Sequence, residues 1–524
     1  MPRLFKNDWT AAAGFFAAAL VLRILFATHT VYNWDAGDFA LGLERYSIPE
    51  FQPHPPGYIL YTALGRLVNF FVGDAGGALA AISIVGGAAA VAGIFLLGRS
   101  MFDRTTGIVA GFLLLFSPSA WYYSEIQLTY SLELFLAIIA TWLLYQMFFY
   151  RRYTLAAAVF IGIAGGFRQD ILLFLGPFWF IASFRAGRRE MLVSWAAMAA
   201  SVLVWFVPLL YFSGGIEAYR VMDSEQWDVG VYPYSVLADG FSAFRRHLQE
   251  VWRGAIWLFG LGTIMLVYAL SLLPQVAKLK EHKRVLFLLV LQIPALSFFL
   301  LFLFNPPGYL LIIAAPLVLL LARLIAVNAE DIQELFSRGK KTVHARMAGN
   351  VFIAVALTVI AAANTVLFTR AGSIDQVIPS TGGPVSAIFG PYSWGSIDQA
   401  GHEIDTMKGV MSRYNPEDTA IVVTILSDWR RLMYYFPDYH VYPIRIDDPA
   451  NGYCDSFHHY YVPVNSRNVA LPKPVKQLIF FKMDTSPTKA TPVTGTSAPP
   501  AITRADVPEN GSLRVGAFTF TREQ

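Results

Sequence analysis

The chain has 524 residues, of which 55% are apolar and only 15% are Asp, Glu, Lys or Arg, against about 25% charged in soluble globular proteins. A mean hydropathy of +0.48 points the same way and excludes an ordinary soluble enzyme, because cores of domain size cannot hide so much apolar surface. The net charge of +4 is too small a surplus to imply a nucleic-acid partner, and a single cysteine, Cys454, excludes an internal disulfide framework and any Cys-cluster metal site.

An apolar helix needs about 20 residues to cross the hydrocarbon layer. In chain order, candidate spans lie near residues 9–27, 76–98, 107–120, 128–149, 153–167, 170–184, 190–212, 254–275, 285–304, 308–327 and 347–368, about eleven transmembrane helices in all. The first is too long and too uniformly apolar for a cleaved signal peptide and is expected to stay as a helix. Lys and Arg collect in every second gap: Arg3 and Lys6, Arg99 and Arg104, Arg151 and Arg152, Arg185 to Arg189, Lys278 to Arg284, and Arg338 to Arg346. Because cytoplasmic loops gather basic residues, the N-terminus is expected inside and the C-terminus outside a cell (inner or plasma) membrane. That register requires residues 57–73, with Arg66 embedded, to lie in the interface as a helix that does not cross.

The expected organisation is an α-helical polytopic membrane domain over residues 1–368, with a first outer loop at 28–75, followed by a small extracytoplasmic α/β domain over 369–524. In the latter, 419–427, 439–446, 476–483 and 514–521 read as strands, 398–413 as a helix, and the Pro, Thr, Ser and Ala-rich 484–512 as a flexible excursion.

The outer gaps hold the residues that could carry chemistry. The first loop sets Asp35 and Asp38 three apart, so that a helix there would place both carboxylates on one face. A general base needs a carboxylate fixed within hydrogen-bond reach of a hydroxyl; the other reading is a merely solvated acidic loop. His54-Pro55-Pro56-Gly57-Tyr58 predicts a rigid turn that aims His54 and Tyr58, and Asn305-Pro306-Pro307-Gly308-Tyr309 predicts a second such turn. Arg168, Gln169 and Asp170 interrupt two apolar runs, where charge must be paired or face a cavity; they read either as a structural Arg-Asp pair or as an anion site in which Arg168 grips a phosphate. Tyr122 and Tyr123 read as an interfacial aromatic belt or a substrate platform, and Glu125 has no such ready explanation. Cys454, His458 and His459 have metal-ligand identities at irregular spacing, and no coordination site is expected from them.

Three of these motifs together resemble a known family. Asp35-Ala36-Gly37-Asp38-Phe39, His54-Pro55-Pro56-Gly57-Tyr58-Ile59-Leu60-Tyr61 and Trp121-Tyr122-Tyr123-Ser124-Glu125, with the late NPPGYLLIIAAP segment, are similar to the multi-spanning glycosyltransferases of the GT-C fold, related to protein O-mannosyltransferases and lipid A aminoarabinose transferases. The resemblance covers about residues 10–330. It implies sugar transfer outside the cytoplasm from a polyprenyl-phosphate sugar to an acceptor hydroxyl on a glycan, lipid or protein, with inversion at the anomeric carbon. Carried onto this chain, Asp35 takes the hydroxyl proton and Asp38 positions Asp35 or the acceptor. The family's mannosyltransferases have an adjacent acidic pair whereas two residues separate this one, and Asp38 stands where the nearest branch has Glu, so which carboxylate is the base stays open. Arg168, His54 and Tyr58 are expected at the donor phosphate, and Tyr122, Tyr123, Glu125, Gln169, Asp170, Asn305 and Tyr309 at the substrates. No cofactor or divalent ion is expected. A secondary transporter and a non-catalytic envelope assembly or receptor protein with a degenerate form of the fold are the alternatives; the gathering of polar residues at one face and the lack of repeated halves speak against the transporter.

Overall fold

The structure, a computed structural model, describes residues 6–264, 267, 281–304, 307–337, 343–377, 392–424, 429–444, 452–481, 491–492, 502–509 and 511–523. It divides into two compact units, residues 1–28 with 55–397 and residues 29–54 with 398–524.

The first unit is helical. Among the described residues, seven helices are long and apolar enough to cross a membrane: Asn7–Leu25, Ala75–Met101, Tyr130–Tyr150, Arg188–Phe212, His282–Leu301, Pro307–Ser337 and Val343–Arg370. Arg104–Leu115 and Pro118–Glu125 form an eighth candidate, bent by 56°. The chain is therefore a multi-pass membrane protein. The bend has a local cause: Pro118 opens the second helix behind the N-cap Ser117, and proline cannot continue the hydrogen-bond ladder of the helix before it. The Leu115 carbonyl accepts from Arg23 Nη1 and Nη2 at 3.0 and 3.1 Å, so a buried cation satisfies an acceptor freed at the break.

Two further expected spans are the shorter apolar helices Thr154–Phe167 and Gln169–Ser183. The expected span at 254–275 runs beyond the described residues. The segment expected at the interface forms the helix Ile59–Val72, which buries Tyr61, Thr62 and Gly65 and exposes Leu67, Phe70 and Phe71; an apolar exposed face of this kind suits a membrane surface. Small residues let the helices approach closely: a Cβ added to Gly107 would meet the Phe95 carbonyl oxygen at 2.6 Å.

The second unit is α/β. Its larger sheet has seven strands in the order β4-β3-β2-β1-β6-β8-β7, built from β1 (Thr419–Thr424), β2 (His440–Ile444), β3 (Tyr453–Phe457), β4 (Tyr460–Val464), β6 (Gln477–Phe481), β7 (Thr491–Pro492) and β8 (Ile502–Asp506). A smaller sheet orders β5 (Asn468–Leu471), β10 (Phe518–Arg522) and β9 (Ser512–Val515). β1 runs parallel to β2 and β6, and the short helix Trp429–Tyr435 lies between β1 and β2 in the chain. Side chains alternate across the large sheet as its pleat requires. Ile421, Val423, Val441, Ile479 and Phe481 pack with Leu41, Ile404, Met407, Trp429 and Leu432, whereas Ala420, Val422, Tyr442, Leu478 and Phe480 pack with Val469, Leu471, Phe518 and Phe520.

Three details differ from the sequence expectations. Residues 514–521 are not one strand: β9 and β10 pair antiparallel around a turn in which Gly516 takes φ +58°, a left-handed conformation that costs glycine little. The excursion expected over 484–512 contains β8, which pairs antiparallel with β6. Leu41 sits in the α/β core, and residues 29–54 belong to this unit rather than to the helical one.

Candidate active site

Residues 29–54 are fastened to the α/β core by two adjacent arginines on the helix Trp429–Tyr435. Arg431, 2% exposed, donates to the Val31 and Ala400 carbonyls at 2.9 and 2.5 Å. Arg430, 1% exposed, donates through Nη2 to the Glu50 carbonyl at 2.7 Å. The helix Trp34–Glu44 begins at the N-cap Asn33, whose side chain accepts from the Ala36 N–H at 3.0 Å, and Asp35 in its first turn suits the positive end of the helix.

The helix sets Asp35 and Asp38 on one face, as their spacing requires. Asp38 is 1% exposed and Asp35 is half-buried. Asp38 Oδ1 lies 3.0 Å from Arg430 Nε, and Oδ2 lies 3.5 Å from His54 Nδ1. Burial pushes the Asp38 carboxyl above its ordinary range, with Arg430 and His54 pulling it back and Asp35 adding to the rise. Ligand atoms of Asp35, Asp38 and His54 all fall within 4.8 Å of one another, a spacing that could hold a cation. The His54 ring packs 5.4 Å from that of Phe39. Gly37 permits this arrangement, since a Cβ there would stand 2.9 Å from Arg430 Cβ.

The helical unit holds a second charged cluster. Arg168, between Thr154–Phe167 and Gln169–Ser183, is 6% exposed. It binds Asp170 through Nε and Nη2 at 2.9 and 2.8 Å, approaches Glu133 Oε2 at 3.1 Å and donates to Thr129 Oγ1 at 2.8 Å. Its guanidinium lies 4.4 Å from the Tyr130 ring centroid, 5.8 Å from Tyr309 and 5.9 Å from Tyr58, distances that suit cation–π attraction. Gln169 Nε2 donates to the Pro56 carbonyl at 3.3 Å. Tyr123 and Tyr130 have ring centroids 4.7 Å apart, and the Gly308 N–H donates to the Tyr123 hydroxyl at 2.9 Å.

The structure thus gathers Asp35, Asp38 and His54 in the α/β unit. It gathers Tyr58, Tyr123, Arg168, Gln169, Asp170 and Tyr309 in the helical one, where Tyr122 packs on Tyr123 and Trp257. Tyr122 and Tyr123 are buried inside the helices, which replaces the reading of them as an interfacial belt. Glu125 is fully buried at the end of the bent pair, opposed in charge by Arg23 and in reach of Trp121. Asn305 lies outside the described residues. His458 faces Asp438 and His459 faces Glu44, so among the described residues these histidines form no metal cluster with Cys454.

Sequence reasoning missed Glu133 and Arg430. The first is an acid inside an apolar run, which is itself a signal; the second stands in a segment whose residues carry no motif.

Residues 53–212 match the sequence model of a family described as dolichyl-phosphate-mannose-protein mannosyltransferase. No curated protein matches the chain. Among solved structures, ArnT from Cupriavidus metallidurans in the apo state is 14% identical with a TM-score of 0.48, over 82% of this chain and 84% of that one. The same protein bound to undecaprenyl phosphate gives 14% and 0.49 over 83% and 86%. The oligosaccharyltransferase of Archaeoglobus fulgidus in the apo form gives 14% and 0.46 over 83% and 64%.

Proposed function

We propose that this chain is a membrane glycosyltransferase that moves a sugar from a polyprenyl-phosphate donor to an acceptor hydroxyl on a glycan, lipid or protein, with inversion, at the extracytoplasmic face. The observation that carries the reading is the pair of carboxylates on one helical face beside His54, in a chain whose residues 53–212 match a lipid-phosphate-sugar transferase family.

In this reading Asp35 is the base. It is the more accessible carboxylate, whereas Asp38 is held from both sides by Arg430 and His54. The acceptor oxygen attacks C1 as its proton passes to the Asp35 carboxylate; the bond from C1 to the phosphate oxygen breaks, and the lipid phosphate leaves with the electron pair. Asp38 orients His54 and keeps the carboxylate face in register. Within the helical unit, Arg168 with Tyr58 is the group suited to stabilise charge on a phosphate. The reaction needs no divalent ion at the carboxylates, because the Arg430 guanidinium already supplies the positive charge beside Asp38.

The test is transfer in nanodiscs from a panel of radiolabelled polyprenyl-phosphate hexoses and pentoses to an extract of envelope acceptors. Wild type should label acceptor, and Asp35→Asn should lower the rate about 100- to 10,000-fold, the usual worth of a general base. Folded wild type that neither binds nor consumes any donor of the panel would end the transferase reading.

A further inference from the structure

We infer that Arg430 is a positioning residue of this site, holding the Asp38 carboxylate in a single orientation toward His54 and favouring its charged form. The inference rests on the transferase reading for its catalytic consequence, but not for its geometry.

Fixed groups surround the guanidinium, with Nη1 3.7 Å from the Met433 sulfur. Nε faces Asp38 Oδ1 at 3.0 Å, Nη2 donates to the Glu50 carbonyl at 2.7 Å, and the charged carbon stands 4.2 Å from the Trp429 ring centroid. A planar fork tied at two of its nitrogens has one orientation, which a lysine's single ammonium could not reproduce. The residue is 1% exposed, so the pair has no water to relax into. Gly37 is the complement on the other helix: its missing side chain is what lets Arg430 Cβ come so near. A buried cation needs a buried anion, and Asp38 is the carboxylate that faces it. The charged or titratable groups acting on Asp38 are Arg430, His54 and Asp35. With Asp35 half-buried beside it, an Asp38 held in one orientation keeps His54 turned toward the carboxylates.

The experiment uses the full chain in nanodiscs, comparing wild type, Arg430→Gln and Arg430→Lys. Dicyclohexylcarbodiimide labels protonated, buried carboxyl groups, and mass spectrometry of the Asp38 peptide across pH reports where that carboxyl takes up its proton. Loss of the guanidinium should move the Asp38 labelling midpoint up by about 1–3 pH units in Arg430→Gln, the range expected for an adjacent arginine. Arg430→Lys should keep the midpoint near wild type. Transfer should fall at least 10-fold in both variants with the donor KM unchanged. An unmoved midpoint in folded Arg430→Gln would overturn the assignment, and so would wild-type transfer by Arg430→Lys at every pH. If Arg430→Gln does not fold, the Lys variant decides by its rate. Should wild type transfer no sugar while the midpoint still moves in Arg430→Gln, the transferase reading fails and the hold of Arg430 on Asp38 stands.

Discussion

Arg168 in the helical unit and Arg430 in the α/β unit are both buried beside carboxylates, and the two are balanced differently. In the helical unit Arg168 has two acids, Glu133 and Asp170, and three tyrosine rings around it. In the α/β unit Arg430 faces one acid, Asp38, with a backbone carbonyl, the Met433 sulfur and an indole face around it. The first cluster has a second acid beside its cation and tolerates loss of one, because an Arg-Asp pair remains. The second pairs its cation with Asp38, and removing that acid leaves a buried cation short of its facing charge, which costs more than the pair itself is worth.

The sharpest break of this contrast is Asp38→Asn. It should destabilise the α/β unit by about 3–5 kcal/mol, the cost of leaving a buried charge unpaired, and should abolish most transfer; thermal unfolding followed alongside the rate checks both. Equal stability to wild type would mean that Arg430 finds another anion. Next in size is Gly37→Val, expected to cost about 1–3 kcal/mol by forcing the helices Trp34–Glu44 and Trp429–Tyr435 apart, read as a lower unfolding midpoint. Asn33→Ala removes the cap of the helix that carries both aspartates and should cost about 1 kcal/mol; a larger fall in rate than in stability would show that helix entry aims Asp35. Glu133→Gln should change stability by less than about 1 kcal/mol, since Asp170 keeps its two-point grip on Arg168. A loss as large as that of Asp38→Asn would show that the two arginines are balanced alike. The smallest expected effect is none: treating the enzyme with a chelator should leave transfer unchanged, and loss of rate restored by a divalent cation would place an ion among Asp35, Asp38 and His54.

Much of the helical unit was legible because crossing a membrane demands long apolar runs, and such runs are visible locally. Ten of the eleven candidate spans correspond to helices or to the bent pair, and the other runs out of the described residues. The Asp35 and Asp38 pair was legible for a similar reason, since helical spacing alone sets two side chains on one face. The turn at Gly516 was missed because the residues on both sides of it favour strands, so an apolar stretch read as continuous.

What the sequence by itself determined is the membrane class, the order of the helical runs and the chemical identity of the first-loop acids. These follow from hydrophobicity and spacing over a few turns of chain. Only the tertiary structure decided that residues 29–54 build into the α/β unit, that Arg430 stands against Asp38, and that Glu133 shares Arg168 with Asp170. Ion pairing joins groups wherever folding brings them within a few ångströms, and no local pattern records a partner hundreds of residues away.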